Sequence, residues 1–332
     1  MFNSEVKYSY KDICIVPTIE SDIKSRSECN PFKDNYLPIF TSPMDTVVDF
    51  NTSIKYIKNH IIPIIPRTES IDLRTQLLYS GLYWVAFSFN EFNSFFKDPI
   101  AIEDEKTYHI LIDMANGNMK HVLKQISLIK ALYGDKIQIM TGNIANPKSY
   151  SILSDCGVDY IRLSIGTGGG CTTTTNTGIH YPIASLIYET WKESLKKSGP
   201  KIIADGGTKS YSDIIKALSL GADYIMVGSI FAGLEDTPGE IIIENNIKYK
   251  EFYGMSSEKG HTALGHQKKN GGYEGLLKRI PINNTIDNWS SNMESYLRSA
   301  MSYCGIRDIK DFNPYNVETT LMSESTIKSI NN

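Results

Sequence analysis

The sequence predicts a single (β/α)8 barrel, a TIM barrel, over residues 1–332. Three observations predict it. Eight short apolar runs recur along the chain. Helical patterns lie between many of them. Glycines, carboxylates and amides collect where the runs end. A doubly wound parallel sheet is the competing fold, but it usually shows fewer units in this length.

Residues 1–36 have no sustained period and read as an N-terminal arm. The first strand is expected at 37–41 (LPIFT), and it runs into a Ser42-Pro43-Met44-Asp45 loop. The second falls at 61–65 (IIPII), where Pro63 and Pro66 interrupt the supply of backbone donors. Further strands are expected at 82–87, 108–112, 137–140, 160–165, 201–204 and 224–227. A helix over 118–133 puts Val122, Ile126, Ile129 and Leu132 on one face. Residues 149–156, 188–197 and 212–220 repeat that pattern. After the eighth strand the alternation stops. Residues 254–281 read as a long mobile flap, whose polar centre is GHTALGHQKKNGGYEG. A helix at 290–303 closes the barrel, and the Asn/Ser-rich residues 313–332 are expected to fray. Neither a repeat beyond the βα alternation nor an interdomain linker is visible.

Composition narrows the function classes. Hydrophobic residues make up 41% and charged residues 21%, which suits a globular protein with a large core. A net charge of −3 gives no bulk electrostatic case for nucleic acid or membrane surfaces. No apolar run reaches membrane-spanning length, and the N-terminus lacks the pattern of a signal peptide. The five cysteines, Cys14, Cys29, Cys156, Cys171 and Cys304, form no CxxC pair. That favours free thiols in a cytoplasmic location, without disulfides or structural zinc.

The stretch at 160–182, YIRLSIGTGGGCTTTTNTGIHYP, carries the strongest chemical signal. Gly166, Gly168, Gly169 and Gly170 let a ligand approach the backbone, and Cys171 follows them on the turn. A cysteine there is placed as nucleophile or ligand; the plain alternative is a glycine loop holding a small residue. Gly206-Gly207 and Gly228-Ser229 follow strands seven and eight, where barrels commonly bind phosphate. Asp205 can accept from ribose hydroxyls, or can cap a helix or join a barrel salt bridge. Together these point to a nucleoside monophosphate whose base reaches toward Cys171. His261 and His266 are poorly spaced for a metal and read as solvated loop, as do Lys268 and Lys269. His180 reads either as lining the site or, as a lone histidine more often does, as a hydrogen-bonded structural residue. Glu274, opposite a nucleophilic cysteine, can carry a proton.

These residues resemble the IMP dehydrogenase and GMP reductase family. The resemblance rests on SPMDTV (42–47), IDMANG (112–117), TGNIA (141–145), IGTGGGCTT (165–173), TGIHYP (177–182), IADGGTKSYSDIIKAL (203–218), MVGSIFAGLEDTPGE (226–240) and YGMSS (253–257). It implies catalysis by Cys171, Thr173 and Glu274. It implies substrate contacts from Ser42, Met44, Gly170, Asp205, Gly206, Gly207, Gly228, Ser229, Tyr253, Gly254, Met255 and Ser256. Asp113, Asn116, Gly117, Asn143 and Arg162 would face the cofactor, NADPH, with NAD as the alternative. A monovalent cation, K+, would sit on the carbonyls of Gly166, Gly168 and Cys171, and the assembly would be a homotetramer.

The reductase branch fits better. Ile65 passes through Pro66-Arg67 with no inserted regulatory domain, and no Arg-Tyr pair for activating water occurs in 260–275. SPMDTV and Arg162 look as much like the dehydrogenase. Departures occur at Thr167, Gly169, Thr174, His180 and Pro66-Arg67. A relative acting on a modified purine nucleotide, or a catalytically silent nucleotide-binding barrel, are the further alternatives.

Overall fold

The computed structural model describes residues 4–169, 171–265 and 273–330. Eight parallel strands form one sheet: Ile39–Thr41, Ile64–Ile65, Trp84–Phe87, Tyr108–Ile112, Ile137–Ile144, Tyr160–Leu163, Lys201–Asp205 and Tyr224–Val227. Strand one pairs with strand eight in register Ile39 to Ile225. The sheet closes between strands one and two through a parallel bridge of Phe40 and Ile62. There the Thr41 N–H donates to Ile62 O and the Ile62 N–H to Ile39 O, both at 3.0 Å. Pro63 has no donor, and the Ile64 N–H instead reaches the Thr41 hydroxyl at 2.9 Å. The expected second strand therefore shortens to two residues and a bridge.

Each strand is buried on both faces, so it reads as an apolar run rather than an alternation. One apolar layer lies between sheet and helices. A second fills the barrel, from Phe40, Ile64, Trp84, Leu111, Met140, Ile203, Tyr224 and Met226. Trp84 and Tyr160 meet edge to face at 4.9 Å, as rings of opposed quadrupole prefer. This plug fills the barrel interior beneath the C-terminal mouth, where barrels place their chemistry.

The expected helices appear as Lys120–Tyr133, Ser149–Asp155, Ile183–Lys196, Tyr211–Ser219 and Ile286–Tyr303. Phe50–Lys58, Ile71–Ser80 and Phe89–Phe95 are additional. Their N-caps are Asp49, Ser70 and Ser88, each accepting a backbone N–H.

The two ends of the chain differ from expectation. Residues 313–332 do not simply fray. Thr319–Leu321 pairs antiparallel with Ile13–Ile15 of the arm, and Glu324–Ile330 is helical. The flap is also more regular than a loop. Ile242–Glu244, Ile247–Tyr253 and Leu277–Pro281 make a three-stranded antiparallel sheet, and Glu258–Ala263 is a helix. Asn245 and Asn246, at φ +49° and +62°, form the two-residue turn that joins the first pair. His266, Lys268 and Lys269 lie outside the described residues.

Candidate functional site

The C-terminal ends of the strands surround a cavity of about 470 Å³. It is lined by Ser42, Met44, Asp113, Asn143, Arg162, Gly166, Gly168, Cys171, Thr173, Asp205, Gly206, Gly207, Gly228, Ser229, Gly254, Met255, Ser256 and Glu274. Three expected site residues do not line it. Asn116 is exposed, and its Oδ1 accepts the Asn118 N–H at 3.0 Å, so it shapes a turn. Gly117 packs so closely on strand five that a Cβ would lie 2.7 Å from the Gly142 Cα. The Tyr253 hydroxyl donates to Asp45 Oδ2 at 2.6 Å, behind the wall. Gly170 lies outside the described residues.

Strand six ends where Ser164 takes φ +104°, a conformation that strains a residue with a Cβ. The chain then turns through the glycines to Cys171. The returning flap fixes that loop. The Thr172 N–H donates to Glu274 O at 3.0 Å, and Cys171 bridges Gly275. The side chains follow suit. Cys171 Sγ donates to Thr173 Oγ1 at 3.2 Å, and Thr173 Oγ1 donates to Glu274 Oε2 at 2.5 Å. A thiol, a hydroxyl and a carboxylate thus form one continuous donor–acceptor chain. Residues 101 positions apart in sequence are brought together by it.

Across the cavity stands a buried charge cluster. Arg162 donates from Nη1 to Asp113 Oδ1 at 2.9 Å and from Nε to Asp205 Oδ2 at 3.0 Å. Burial would weaken its charged form, but Asp205 and Asp113 outweigh that and raise its pKa. Asn143 Nδ2 also donates to Asp205 Oδ2, at 2.8 Å. The barrel salt bridge weighed for Asp205 is therefore present; its Oδ1 takes no bond among the described residues. Arg67 extends the cluster, with Nη1 3.7 Å from Asp113 Oδ2 and Nε 3.8 Å from Glu91 Oε2. Both exceed a hydrogen bond, and the buried Arg67 Nε has no partner.

The altered loop positions have structural roles. Thr174 Oγ1 contacts Gly166 O at 3.2 Å, Ile179 O at 3.3 Å and His180 Nδ1 at 3.4 Å. His180 is exposed and outside the cavity lining. A Cβ on Gly169 would come within 3.1 Å of Ser229 Oγ, so the Ser229 hydroxyl already occupies the space beside this glycine. Two of the carbonyls expected to hold a cation each have one hydrogen bond within the loop. Gly166 O faces the Thr174 hydroxyl and Gly168 O accepts the Cys171 N–H at 3.0 Å. Among the described residues, no group of three or more His, Cys, Asp or Glu is placed for a metal.

Sequence reasoning named Arg67 and Thr167 only as departures from the family pattern and missed Lys209 and Phe252; all four line the cavity. It also placed His261 in solvent, whereas that side chain lines the cavity and lies 5.6 Å from the Tyr273 ring. Arg67 was legible as a charged residue at a strand end, the position from which barrels draw their chemistry.

Comparison with known proteins decides the ancestry. The family model for the IMP dehydrogenase / GMP reductase domain matches residues 81–331. The chain belongs to that family. It is 33% identical over 327 residues to a GMP reductase of Buchnera aphidicola subsp. Schizaphis graminum, covering 92% of both chains. It is 30% identical over 334 residues to a GMP reductase of Klebsiella pneumoniae, and 28% identical over 328 residues to one of Vibrio vulnificus, again with 92% of each chain covered. Among the described residues, no helix is long and apolar enough to cross a membrane.

Proposed function

We propose that the protein is an NADPH-dependent GMP reductase, converting GMP to IMP and ammonia in the cytoplasm. The observation that carries this reading is the chain from Cys171 through Thr173 to Glu274. The GMP reductases matched over 92% of both chains support the same reading.

In this mechanism the Cys171 proton passes through the Thr173 hydroxyl to Glu274. The thiolate attacks the purine C2 that bears the amino group, forming a C–S bond. Glu274 returns the proton through Thr173 to the amino nitrogen. The C–N bond breaks and ammonia leaves. NADPH, when bound, would supply the hydride for the same carbon; Cys171 Sγ then takes the C–S bonding pair and leaves as thiolate as IMP is released. The glycines at 206, 207 and 228, with Ser229, cradle the phosphate. Asp205, held by Arg162 and Asn143, keeps one oxygen for ribose hydroxyls.

The residues present suit a nicotinamide carboxamide. Arg67 and Asp113 both line the cavity, with Arg67 Nη1 3.7 Å from Asp113 Oδ2, and so set a cationic donor beside an acceptor. A carboxamide offers the complementary acceptor and donor. No step in this scheme uses a cation, and the assembly is taken to be a homotetramer by family resemblance.

Cys171→Ala is the test. It should abolish GMP-dependent NADPH oxidation while GMP affinity by calorimetry stays within about threefold. Surviving turnover would exclude the covalent step.

A further inference from the structure

The barrel face opposite the cysteine loop carries a second cavity, of about 290 Å³. It is built from the arm, the N-terminal ends of strands seven and eight, and the segment leading to the chain's end. Lys33, Lys201 and Lys310 line it, with Asp223 as carboxylate. The charges do not balance. Lys33 Nζ and Lys201 Nζ both lie 3.6 Å from the same oxygen, Asp223 Oδ1. Neither contact is short enough for a hydrogen bond. Asp223 Oδ2 is already used by the Ile202 N–H at 2.9 Å. Lys310 has no carboxylate within ion-pair distance among the described residues.

Lys33 is the most enclosed of the three, with its side chain 15% exposed. Its Nζ donates to Asp223 O at 3.0 Å and sits 5.1 Å over the Tyr224 ring. Burial pushes its pKa down, Asp223 opposes that, and Lys201 and Lys310 push it down further. Lys33 and Lys201 share one carboxylate oxygen, and Lys201 and Lys310 both repel the enclosed Lys33 ammonium. An anion would relieve that repulsion and supply acceptors. One wall is aromatic: Trp191 and Tyr315 meet edge to face at 4.9 Å. The cavity is larger than a tetrahedral oxyanion, which leaves room for a small organic group against that wall.

We propose that this cavity is a binding site for a phosphate dianion, free or as a small monoester, seated between Lys33, Lys201 and Lys310. It is separate from the phosphate cradle at the opposite end of the barrel.

The test compares the wild type with the Lys201→Gln/Lys310→Gln double variant, both exposed positions far from the cysteine loop. Melting is followed in sodium chloride and in sodium phosphate at matched ionic strength. Phosphate at about 100 times its Kd should raise the wild-type Tm by about 4 °C. The double variant should lose at least half of that rise. In chloride it should melt no lower than the wild type, because it removes repulsion. Trp191 gives a local readout: phosphate and phenyl phosphate should each change the emission saturably, and Trp191→Phe should remove the change. A larger change with phenyl phosphate would assign the site to monoesters, and equal changes to the free ion. The proposal is overturned if the phosphate-induced Tm rise is equal in both proteins. It is also overturned if the emission change survives in Trp191→Phe.

Discussion

Replacing Thr173 by valine tests the proton path at its centre. Valine keeps the branched shape and removes the hydroxyl that links Cys171 Sγ, 3.2 Å away, to Glu274 Oε2, 2.5 Å away. Two transfers lose their carrier, one activating the thiol and one protonating the departing nitrogen. A positioned acid–base group typically contributes about 10²–10⁴-fold. At about 1.4 kcal/mol per decade, the barrier should rise by roughly 3–5 kcal/mol. The fold should suffer far less. One part-buried hydrogen bond is worth about 1 kcal/mol, and Glu274 can turn to solvent. The assay is NADPH oxidation at saturating GMP, alongside GMP binding by calorimetry and a thermal melt. The expected result is a kcat lower by at least a hundredfold, GMP affinity within about threefold, and recovery in Thr173→Ser. A kcat within threefold of wild type would refute the relay.

Other consequences follow from the charges. Arg162→Met leaves Asp113 and Asp205 without their shared cation, so it should cost about 3–5 kcal/mol in urea unfolding; a loss under 1 kcal/mol would show the cluster to be solvated. Arg67→Met should raise the KM for NADPH about tenfold and leave GMP affinity within twofold, whereas an unchanged NADPH KM would remove Arg67 from the cofactor subsite. His109 packs against Trp84 with ring centroids 4.9 Å apart, its Nδ1 is buried without a hydrogen-bond partner, and burial lowers its pKa to about 4. The unfolded chain then binds a proton near pH 6.5 that the folded barrel refuses until about 4. This contribution is complete above pH 6.5 and falls by about 2–3 kcal/mol on going to pH 4.5. His109→Phe should flatten that part of the acid limb in thermal melts, and an unchanged slope would exclude His109 as its source.

The barrel was legible because both faces of its strands are buried, which writes them as apolar runs. Strand five shows the limit. Its expected end at Met140 extends through Thr141-Gly142-Asn143 to Ile144, because a polar strand end looks like a loop. Phe50–Lys58 was missed although Phe50, Ile54 and Ile57 fall at helical spacing and Asp49 caps it; both signals were available in the sequence. The hairpin around Asn245-Asn246 was missed because its strands expose Ile243 and Ile247. At the site, Cys171, Thr173 and Glu274 were visible as residue types on a loop and a flap. Their joining into one hydrogen-bonded chain was not, because it depends on where the flap returns. That Arg67 Nε is buried without a hydrogen bond is a property of packing alone, and no pattern in the sequence encodes it.

The central claim is the direction of the chemistry at Cys171, and absorbance at the reduced-nicotinamide band tests it most directly. Purified protein is given GMP with NADPH in one cuvette and IMP with NAD in another. The mechanism predicts loss of absorbance in the first, with ammonia formed in equal amount, and no change in the second. Growth of absorbance in the second cuvette, with none lost in the first, would contradict it and assign the dehydrogenase reaction instead.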